Sequence, residues 1–235
     1  VSRRVPVLLT AALEQGNIFA AMDLRTRLNL IWLAADDPNG GRAEVIEALK
    51  VWPHEGFHLQ HYTSMHALAQ IELYTGDAEV AWKHIQGQWK ALEQSMLLRI
   101  QVLRIEAMHL QARAALATAA GSNDKKHRLK VAGTMAKRIA KEKIAWAQPF
   151  ASLVRAGIAH QEGESSKAVN FLSEAVENFD LADIDLYAAA TRHRLGELLG
   201  NERGRQLIAE AENWMLRQEI KDPAAMIRML TPGFD

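Results

Sequence analysis

Three times along the chain, an alanine follows a glycine at a distance of five residues. Apolar stretches with helical spacing precede each glycine and follow each alanine. Glycine readily adopts the left-handed backbone conformation that ends a helix, and a small alanine lets two helices cross closely. The pattern therefore predicts helical hairpins stacked into a solenoid, because each hairpin leaves an apolar face that only its neighbour can cover. The three pairs are Gly16 and Ala21, Gly76 and Ala81, and Gly163 and Ala168.

Composition supports a purely helical architecture. The 235 residues include only 6 prolines and are 49% hydrophobic, and the alternating β-branched stretches typical of strands are missing. We expect an all-α fold, a right-handed α-solenoid of about five helical hairpins, that forms a single helical-repeat domain over residues 1–235. The sequence begins at Val1 without an initiator methionine, and we expect it to be a fragment of a longer protein.

The spacing of apolar residues and the capping residues predict the individual helices. The segment 36–41 is predicted as a loop and 231–235 as a tail. The later repeats are degenerate, since Lys126 and Arg205 stand where an alanine would follow Gly121 and Gly200. The predicted helices are 5–15, 17–35, 42–51, 57–75, 95–120, 124–142, 144–162, 165–179, 182–199 and 203–219, with two more after Asp77 and Asp222.

Charge and cysteine content argue against several classes of function. The 28 basic and 28 acidic residues give a formal net charge of zero, which provides no global attraction to nucleic acid or to an anionic membrane. No apolar run approaches the roughly 20 residues of a membrane-spanning helix, so no membrane insertion is expected. The sequence has no cysteine, which fits a reducing compartment, and we expect a cytoplasmic protein without cofactors.

A basic run at 125–130 continues along the predicted helix that contains it. Apolar residues interrupt the run at helical spacing, among them Leu129, Ala132 and Ala136. Such interruption is typical of the solvated outer face of an amphipathic helix. We therefore expect no nucleic-acid binding, and a docking patch for an acidic partner is the alternative.

The segment His54 to His58 matches the His-Glu-x-x-His pattern of zinc hydrolases. On a helix, the two histidines would face one way as metal ligands, and Glu55 could polarise a zinc-bound water. Pro53 directly precedes the motif and Gly56 lies within it, which places the motif at a helix start rather than inside a stable helix. A zinc-dependent hydrolase is therefore the enzymatic alternative, and histidines that line a surface or interhelical groove are the favoured interpretation.

Imidazole and aromatic side chains are densest between residues 57 and 89. Trp82 and Trp89 are seven residues apart and share one face of a helix. We predict a partner-binding surface here, because aromatic groups with a polar edge suit a groove that is wet when empty and buried when occupied. The alternative is that these side chains are core, which would leave Tyr62, Trp82 and Trp89 almost wholly buried. The predicted binding residues are Phe57, His58, His61, Tyr62, Trp82 and Trp89.

The repeats resemble tetratricopeptide repeats over nearly the whole chain, most specifically in Leu68 to Ala81 and in Gly163 to Ala175. Three stretches also look like the C-terminal region of large bacterial serine/threonine protein kinases, in which a helical-repeat tail follows the kinase domain. These stretches are Leu33 to Pro38, Gly56 to Tyr62 and Asp222 to Phe234. The kinase motifs themselves, including the glycine-rich loop, His-Arg-Asp and Asp-Phe-Gly, are missing from this sequence.

The resemblance to kinase tails implies a sensor or scaffold arm attached to a kinase. We therefore expect a non-catalytic module for protein–protein interaction and regulation, with a protein or peptide partner in the concave groove. A dimerisation arm is the second alternative to this scaffold, in which self-association replaces partner binding.

Overall fold

The computed structural model describes residues 4–234, and within them the chain forms α-helices, two short 3-10 turns and no strand. The 3-10 turns are Leu97–Arg99 and Ala145–Ala147. The predicted all-α fold is therefore confirmed for these residues. In chain order the helices are α1 (Val5–Glu14), α2 (Ile18–Thr26), α3 (Asn29–Ala34), α4 (Pro38–Val51), α5 (Leu59–Thr75), α6 (Ala78–Gln94), α7 (Gln101–Ala119), α8 (Lys125–Ala140), α9 (Gln148–Gln161), α10 (Ser165–Leu181), α11 (Asp185–Leu199), α12 (Glu202–Arg217) and α13 (Pro223–Leu230).

Four consecutive hairpins, α5–α6, α7–α8, α9–α10 and α11–α12, form the body of the molecule, and each packs on the next. The first helices of the hairpins, α5, α7, α9 and α11, form an inner row. In α5, α7 and α9 most positions are buried, whereas the second helices bury a single stripe of side chains and expose charged residues on the rest. This division is the one expected when the outer helices cover only one side of the inner row.

The glycine–alanine pattern has the role that the sequence predicts. Gly16, Gly76 and Gly163 have φ values of 66°, 87° and 79°, which lie in the left-handed region. The three alanines that follow them are buried at the start of the next helix. The pattern is therefore a local signal both for the helix end and for the close crossing of the paired helices.

The last hairpin uses glycine instead of alanine at its crossing. Gly200 ends α11 with φ of 61°, and Gly204 is buried one position before the exposed Arg205. A Cβ atom added to Gly196 would lie 2.5 Å from the carbonyl oxygen of Gly204. The backbones of α11 and α12 thus approach more closely than any side chain would allow, and the small residue of this repeat lies at Gly204 rather than at Arg205.

The predictions for residues 17–41 are partly wrong. The single helix expected over 17–35 is divided into α2 and α3, and most of the predicted loop 36–41 belongs to α4. Asp37 starts α4, because its Oδ1 accepts a hydrogen bond from the Gly40 backbone at 2.8 Å and Pro38 occupies the first turn. A Cβ atom added to Gly40 would lie 2.7 Å from the Trp32 ring, so glycine is needed here for helix packing.

The predicted C-terminal tail is also wrong for the described residues, since 231–234 pack against the protein. Together with α13 they form a segment, 223–234, that crosses the inner row near the C-terminal ends of its helices. Lys221 donates a backbone hydrogen bond to the Ala34 carbonyl at 2.9 Å, and Arg228 donates to the Tyr74 carbonyl at 3.1 Å. The C-terminal segment therefore connects the last helices of the chain to the first ones.

Candidate ligand-binding groove

The inner row is filled at one end and open at the other. The C-terminal segment covers the C-terminal ends of α5, α7, α9 and α11. Near their N-terminal ends, the same four helices line an open cavity of about 360 Å³. This volume lies within the range of small-molecule sites, about 300–1,000 Å³. We call these two regions the filled half and the open half of the groove.

One wall of the open half is polar. Tyr62, His66 and Gln70 of α5 all line the cavity, and their spacing of four residues places them on one helix face. Glu106, His109 and Arg113 of α7 also line the cavity, at intervals of three and four residues. Both sets face the groove, so α5 and α7 each carry buried or partly buried polar groups there in addition to their packing residues. The six side chains are Tyr62, His66, Gln70, Glu106, His109 and Arg113.

Tyr62 and Glu106 connect the two helices. The Tyr62 hydroxyl lies within hydrogen-bonding distance of two acceptors, the Leu103 carbonyl at 3.3 Å and Oε2 of Glu106 at 3.2 Å. Burial and the neighbouring Glu106 carboxylate hold the pKa of Tyr62 well above its usual range, so the phenol stays protonated. Burial also raises the pKa of Glu106, and the hydrogen bond from Tyr62 partly opposes this rise.

The two cavity histidines are neutral at physiological pH. Burial lowers the pKa of His66 to about 3, with a further contribution from the positive charge of Arg113. Burial and Arg113 also hold the pKa of His109 well below its ordinary value. The His109 ring packs against Phe150 at a centroid distance of 4.6 Å, and its Nε2 atom has no hydrogen-bond partner among the described residues.

Arg113 is the most unusual group in the site, because its side chain is fully charged and the residue is only 2% exposed. Its Nη1 donates a hydrogen bond to the Met229 carbonyl of α13 at 3.1 Å. Its Nε atom is buried without a hydrogen-bond partner, and within residues 4–234 no carboxylate forms an ion pair with it. Arg113 thus lies at the boundary between the filled and open halves.

The opposite wall of the cavity is aromatic. Phe150 of α9 contacts Trp146 edge-on at 6.3 Å and Tyr187 of α11 edge-on at 4.9 Å between ring centroids. Phe179 packs behind both, at 5.0 Å from Phe150 and 5.5 Å from Tyr187. The open half therefore presents an aromatic surface on one side and charged and polar groups on the other.

Of the residues predicted to bind a partner, only Tyr62 lines this cavity. Tyr62 is 1% exposed and Trp82 is 8% exposed, with the Arg128 guanidinium 4.3 Å above the Trp82 ring. Trp89 is half-buried and donates from its indole nitrogen to Glu93 at 2.9 Å. The burial of Tyr62 and Trp82 fits the packing alternative for these two side chains, and a binding role for the set remains a prediction.

The other three predicted residues cluster before α5. Phe57 stacks on His61 at 5.7 Å, and the His58 and His61 rings lie 5.4 Å apart. The backbone of His58 donates to Nδ1 of His61 at 3.0 Å, which organises the first turn of α5. The structure therefore brings together Phe57, His58 and His61 as a partly exposed cluster, and no described ring contact joins them to Trp82 or Trp89.

The His-Glu-x-x-His motif lies in the non-helical link between α4 and α5. Its Gly56 has φ of 76°, and α5 begins only at Leu59, so His54 and His58 do not occupy successive turns of one helix. Within residues 4–234, no group of three or more histidine, aspartate or glutamate side chains could hold a metal ion. The geometry that a zincin requires is thus not formed by this segment.

The basic run lies on α8, as predicted. Leu129, Ala132 and Ala136 are buried against the core, while the lysines of the helix, Lys125, Lys126, Lys130 and Lys137, are exposed. Arg128 stacks on Trp82 and donates to the Thr118 hydroxyl at 2.8 Å. The prediction of an amphipathic helix with a charged outer face is confirmed.

The cavity-lining residues of α7 were not predicted from the sequence. Glu106, His109 and Arg113 have the spacing of a polar helix face, which usually indicates contact with water. The available signal was that α8 is amphipathic, so one side of α7 is covered by the buried stripe of α8. The other side of α7 faces the groove between α5, α9 and α11, and no local pattern predicts this arrangement of neighbouring hairpins.

Comparison with known proteins establishes the class of fold. No protein-family model and no curated protein matches the sequence. The structure is similar to the crystal structure of a thermophilic TPR protein of Thermus thermophilus, with a TM-score of 0.58 and 19% sequence identity over 89% of this chain and 97% of that chain. The chain is therefore an all-α, TPR-like helical-repeat solenoid, as the glycine–alanine pattern predicts. In the described part of the chain, no helix is both long and apolar enough to cross a membrane.

Proposed function

We propose that this chain is a non-catalytic scaffold for protein–protein interaction. The observation that carries the proposal is an uncovered apolar face on the N-terminal hairpin, α1–α2. Five large hydrophobic side chains of this hairpin are between 48% and 70% exposed, and only Ala12 of α1 is buried. They are Val7, Leu8, Leu13, Ile18 and Phe19.

The opposite end of the solenoid supports this interpretation by contrast. A terminal repeat normally carries a polar outer face, because no neighbour covers it. Helix α12 follows this rule, with exposed Glu202, Arg203 and Glu212. The described part of α1 instead exposes Val7, Leu8 and Leu13, and an apolar patch of this kind marks an interaction surface. The α1–α2 hairpin is therefore the surface proposed to contact a protein partner.

The finer proposal is that the chain is the cytoplasmic, C-terminal helical-repeat region of a bacterial serine/threonine protein kinase. Its support is the resemblance of three stretches to such tails. Two of these stretches, Leu33 to Pro38 and Asp222 to Phe234, are neighbours in the fold, since the backbone of Lys221 donates to Ala34. Two of the three resembling stretches thus lie where the first and last helices meet, with Lys221 directly preceding the second stretch.

The scaffold is tested by affinity capture from a lysate of the source organism, with bound proteins identified by mass spectrometry. The wild type is expected to retain a specific protein that Phe19→Asp loses, because the charge interrupts the apolar face. Leu181→Asp is the matched control, since Leu181 is an exposed leucine on α10. If all three forms captured the same proteins, the α1–α2 face would not be the binding surface. Capture with Tyr62→Ala and Trp89→Ala tests the predicted groove residues in the same way.

The same face favours a second function, that of a dimerisation arm. Two copies could cover their α1–α2 faces against each other in an isologous contact. Light scattering over a concentration series would then show a dimer for the wild type and for Leu181→Asp, and a monomer for Phe19→Asp. A wild-type monomer at all concentrations would leave only the scaffold.

A further inference from the structure

The open half of the groove contains a buried charge that has no direct counter-charge. Arg27 and Arg113 line the cavity together with a single carboxylate, that of Glu106. Arg27 lies at the exposed rim and pairs loosely with Asp23, with 3.7 Å between Nε and Oδ1. Arg113 lies at the base without any carboxylate partner in the described part of the chain. With Asp23 counted against Arg27, the unpaired cation of the open half is Arg113, and Glu106 shares the cavity without forming an ion pair with it among residues 4–234.

The contact of Arg113 with α13 compensates only part of this charge. Met229 belongs to the last turn of α13, where carbonyl groups carry the negative end of the helix dipole. That end is equivalent to roughly half an elementary charge. Burial of an unpaired charge is costly, and buried charges in proteins are normally paired. The remaining charge is the strongest physical indication in this molecule of a missing ligand group.

His109 provides an independent indication. It is 4% exposed and neutral, and its Nε2 atom has no hydrogen-bond partner among residues 4–234. Buried polar atoms of side chains are satisfied in most native structures, so an orphaned atom in the wall of a cavity points to a ligand that completes it. One turn away on the same helix, Arg113 has a second orphaned atom, Nε.

We propose that the open half of the groove binds a small organic anion with one carboxylate group and a flat, apolar body. The carboxylate lies on the side of Arg113 and Arg27, and the body lies against Phe150, Trp146 and Tyr187. Glu106 shares the cavity and repels a second negative charge, which favours a monocarboxylate over a phosphate ester. A ligand of this kind goes beyond the scaffold function, because it would be recognised inside the solenoid and not on its N-terminal face.

The first test is isothermal titration of the wild-type chain with 2-naphthoate, and with 2-naphthamide as the uncharged match of the same shape. We expect 1:1 binding of the carboxylate, and at least about tenfold weaker binding of the amide, since the amide lacks the charge that Arg113 and Arg27 would pair with. Equal affinities for the two compounds would overturn the proposal, and so would failure of the carboxylate to bind at millimolar concentration.

Variants that remove either a positive or a negative charge from the cavity provide the second test. Arg113→Gln is expected to weaken 2-naphthoate binding about tenfold or more, and Arg27→Gln about threefold, whereas Glu106→Gln is expected to tighten it about threefold. Glu106→Gln keeps an oxygen that can accept from Tyr62, and Arg27 is exposed, so both of these variants are expected to fold. They still test the site if Arg113→Gln fails to fold. Lys137→Gln on the exposed face of α8 is the control and leaves the affinity unchanged. The same affinity in all variants would refute the site.

Discussion

The filled and open halves of the groove are built from the same four helices but differ in chemistry. In the filled half, Leu116 and Gly157 present small and apolar surface to the C-terminal segment, whose Met229 and Leu230 are buried. In the open half, the same helices present ionisable and aromatic side chains. The C-terminal segment also satisfies polar groups of the filled half, since Arg194 donates from Nε to the Thr231 hydroxyl at 3.3 Å and Arg113 donates to the Met229 carbonyl. In the open half, His109 Nε2 and Arg113 Nε have no such partner among the described residues.

This difference has a simple energetic basis. Each fully buried Met, Ile or Leu of α13 contributes roughly 1.5–3 kcal/mol relative to exposure, so the filled half stabilises the fold. The polar groups of the open half contribute no comparable free energy, since desolvation offsets their interactions. We expect the filled half to control stability and the open half to control binding.

The largest predicted effect concerns truncation in the filled half. Met229→Ala should lower the free energy of unfolding by about 2–5 kcal/mol, because Met229 is fully buried between α13 and the inner row. Leu30→Ala in the open half is the matched control, and its 36% exposed side chain should cost less than about 1 kcal/mol. Urea denaturation measures both. Equal losses of unfolding free energy would show that the filled half does not control stability more than the open half does.

Acid should destabilise the protein through the histidines of the open half. His66 and His109 have folded-state pKa values below that of an unfolded histidine, so the unfolded chain binds more protons as the pH falls below about 6.5. Stability is then complete above this pH and is lost toward pH 3, with a slope of up to about 1.4 kcal/mol per pH unit for each residue. Thermal melts between pH 4 and 8 measure this slope.

The double variant His66→Gln/His109→Gln isolates these two residues. Its stability should depend less on pH than that of the wild type between pH 4 and 6.5, whereas His127→Gln on the exposed face of α8 should not alter the dependence. The pKa of Glu106 is raised by burial and gives a slope of the opposite sign above about pH 4.5, but this contribution is common to all three proteins. Identical curves for wild type and double variant would rule out buried neutral histidines.

Glycine-to-alanine substitutions test how tightly the C-terminal segment packs on α9. A Cβ atom added to Gly157 would lie 3.0 Å from Cδ1 of Leu116 and 3.3 Å from the Pro232 carbonyl oxygen of the C-terminal segment. Gly157→Ala should therefore destabilise the fold by about 1–2 kcal/mol, after the gain in helix propensity. Gly133→Ala on α8 is the control, since its Cβ atom would make only an ordinary 3.7 Å contact with Ile158. Gly133→Ala should raise the free energy of unfolding by up to about 1 kcal/mol. If both variants raised it, the C-terminal segment would pack only loosely on α9.

The elements that the sequence predicts correctly are those with a local cause. Gly76 and Gly163 end helices through their own backbone conformation, and Asp222 starts α13 by accepting from the Ala225 backbone at 2.9 Å. The C-terminal segment has no such local cause. Its position depends on contacts such as that between Arg113 and Met229, which are 116 residues apart. Spacing and capping carry no information about a contact at this distance.

The candidate site was less predictable for a related reason. Periodicity separates one face of a helix from another, but it does not distinguish a face in water from a face in a groove. The spacing of Glu106, His109 and Arg113 fits a face in water as well as a face in a groove, and Trp82 was predicted to be available for a partner. Only the packing of neighbouring hairpins shows that the first three line a cavity and that Arg128 covers Trp82.

The smallest predicted effect compares two tyrosines of the open half. Tyr62→Phe should cost about 1 kcal/mol, because it removes a buried hydroxyl whose partners are the Leu103 carbonyl and Glu106. Tyr187→Phe should be nearly neutral, since in the described part of the chain the Tyr187 hydroxyl has no hydrogen-bond partner. The loss of the Tyr62 hydroxyl should also raise the pKa of Glu106 further, because that hydrogen bond favours the ionised carboxylate. Chemical denaturation gives the stabilities and a carboxyl-detected NMR titration follows Glu106. Equal effects of the two substitutions would mean that Tyr62 does not couple α5 to α7, and the polar wall would then have to be described as two independent helix faces.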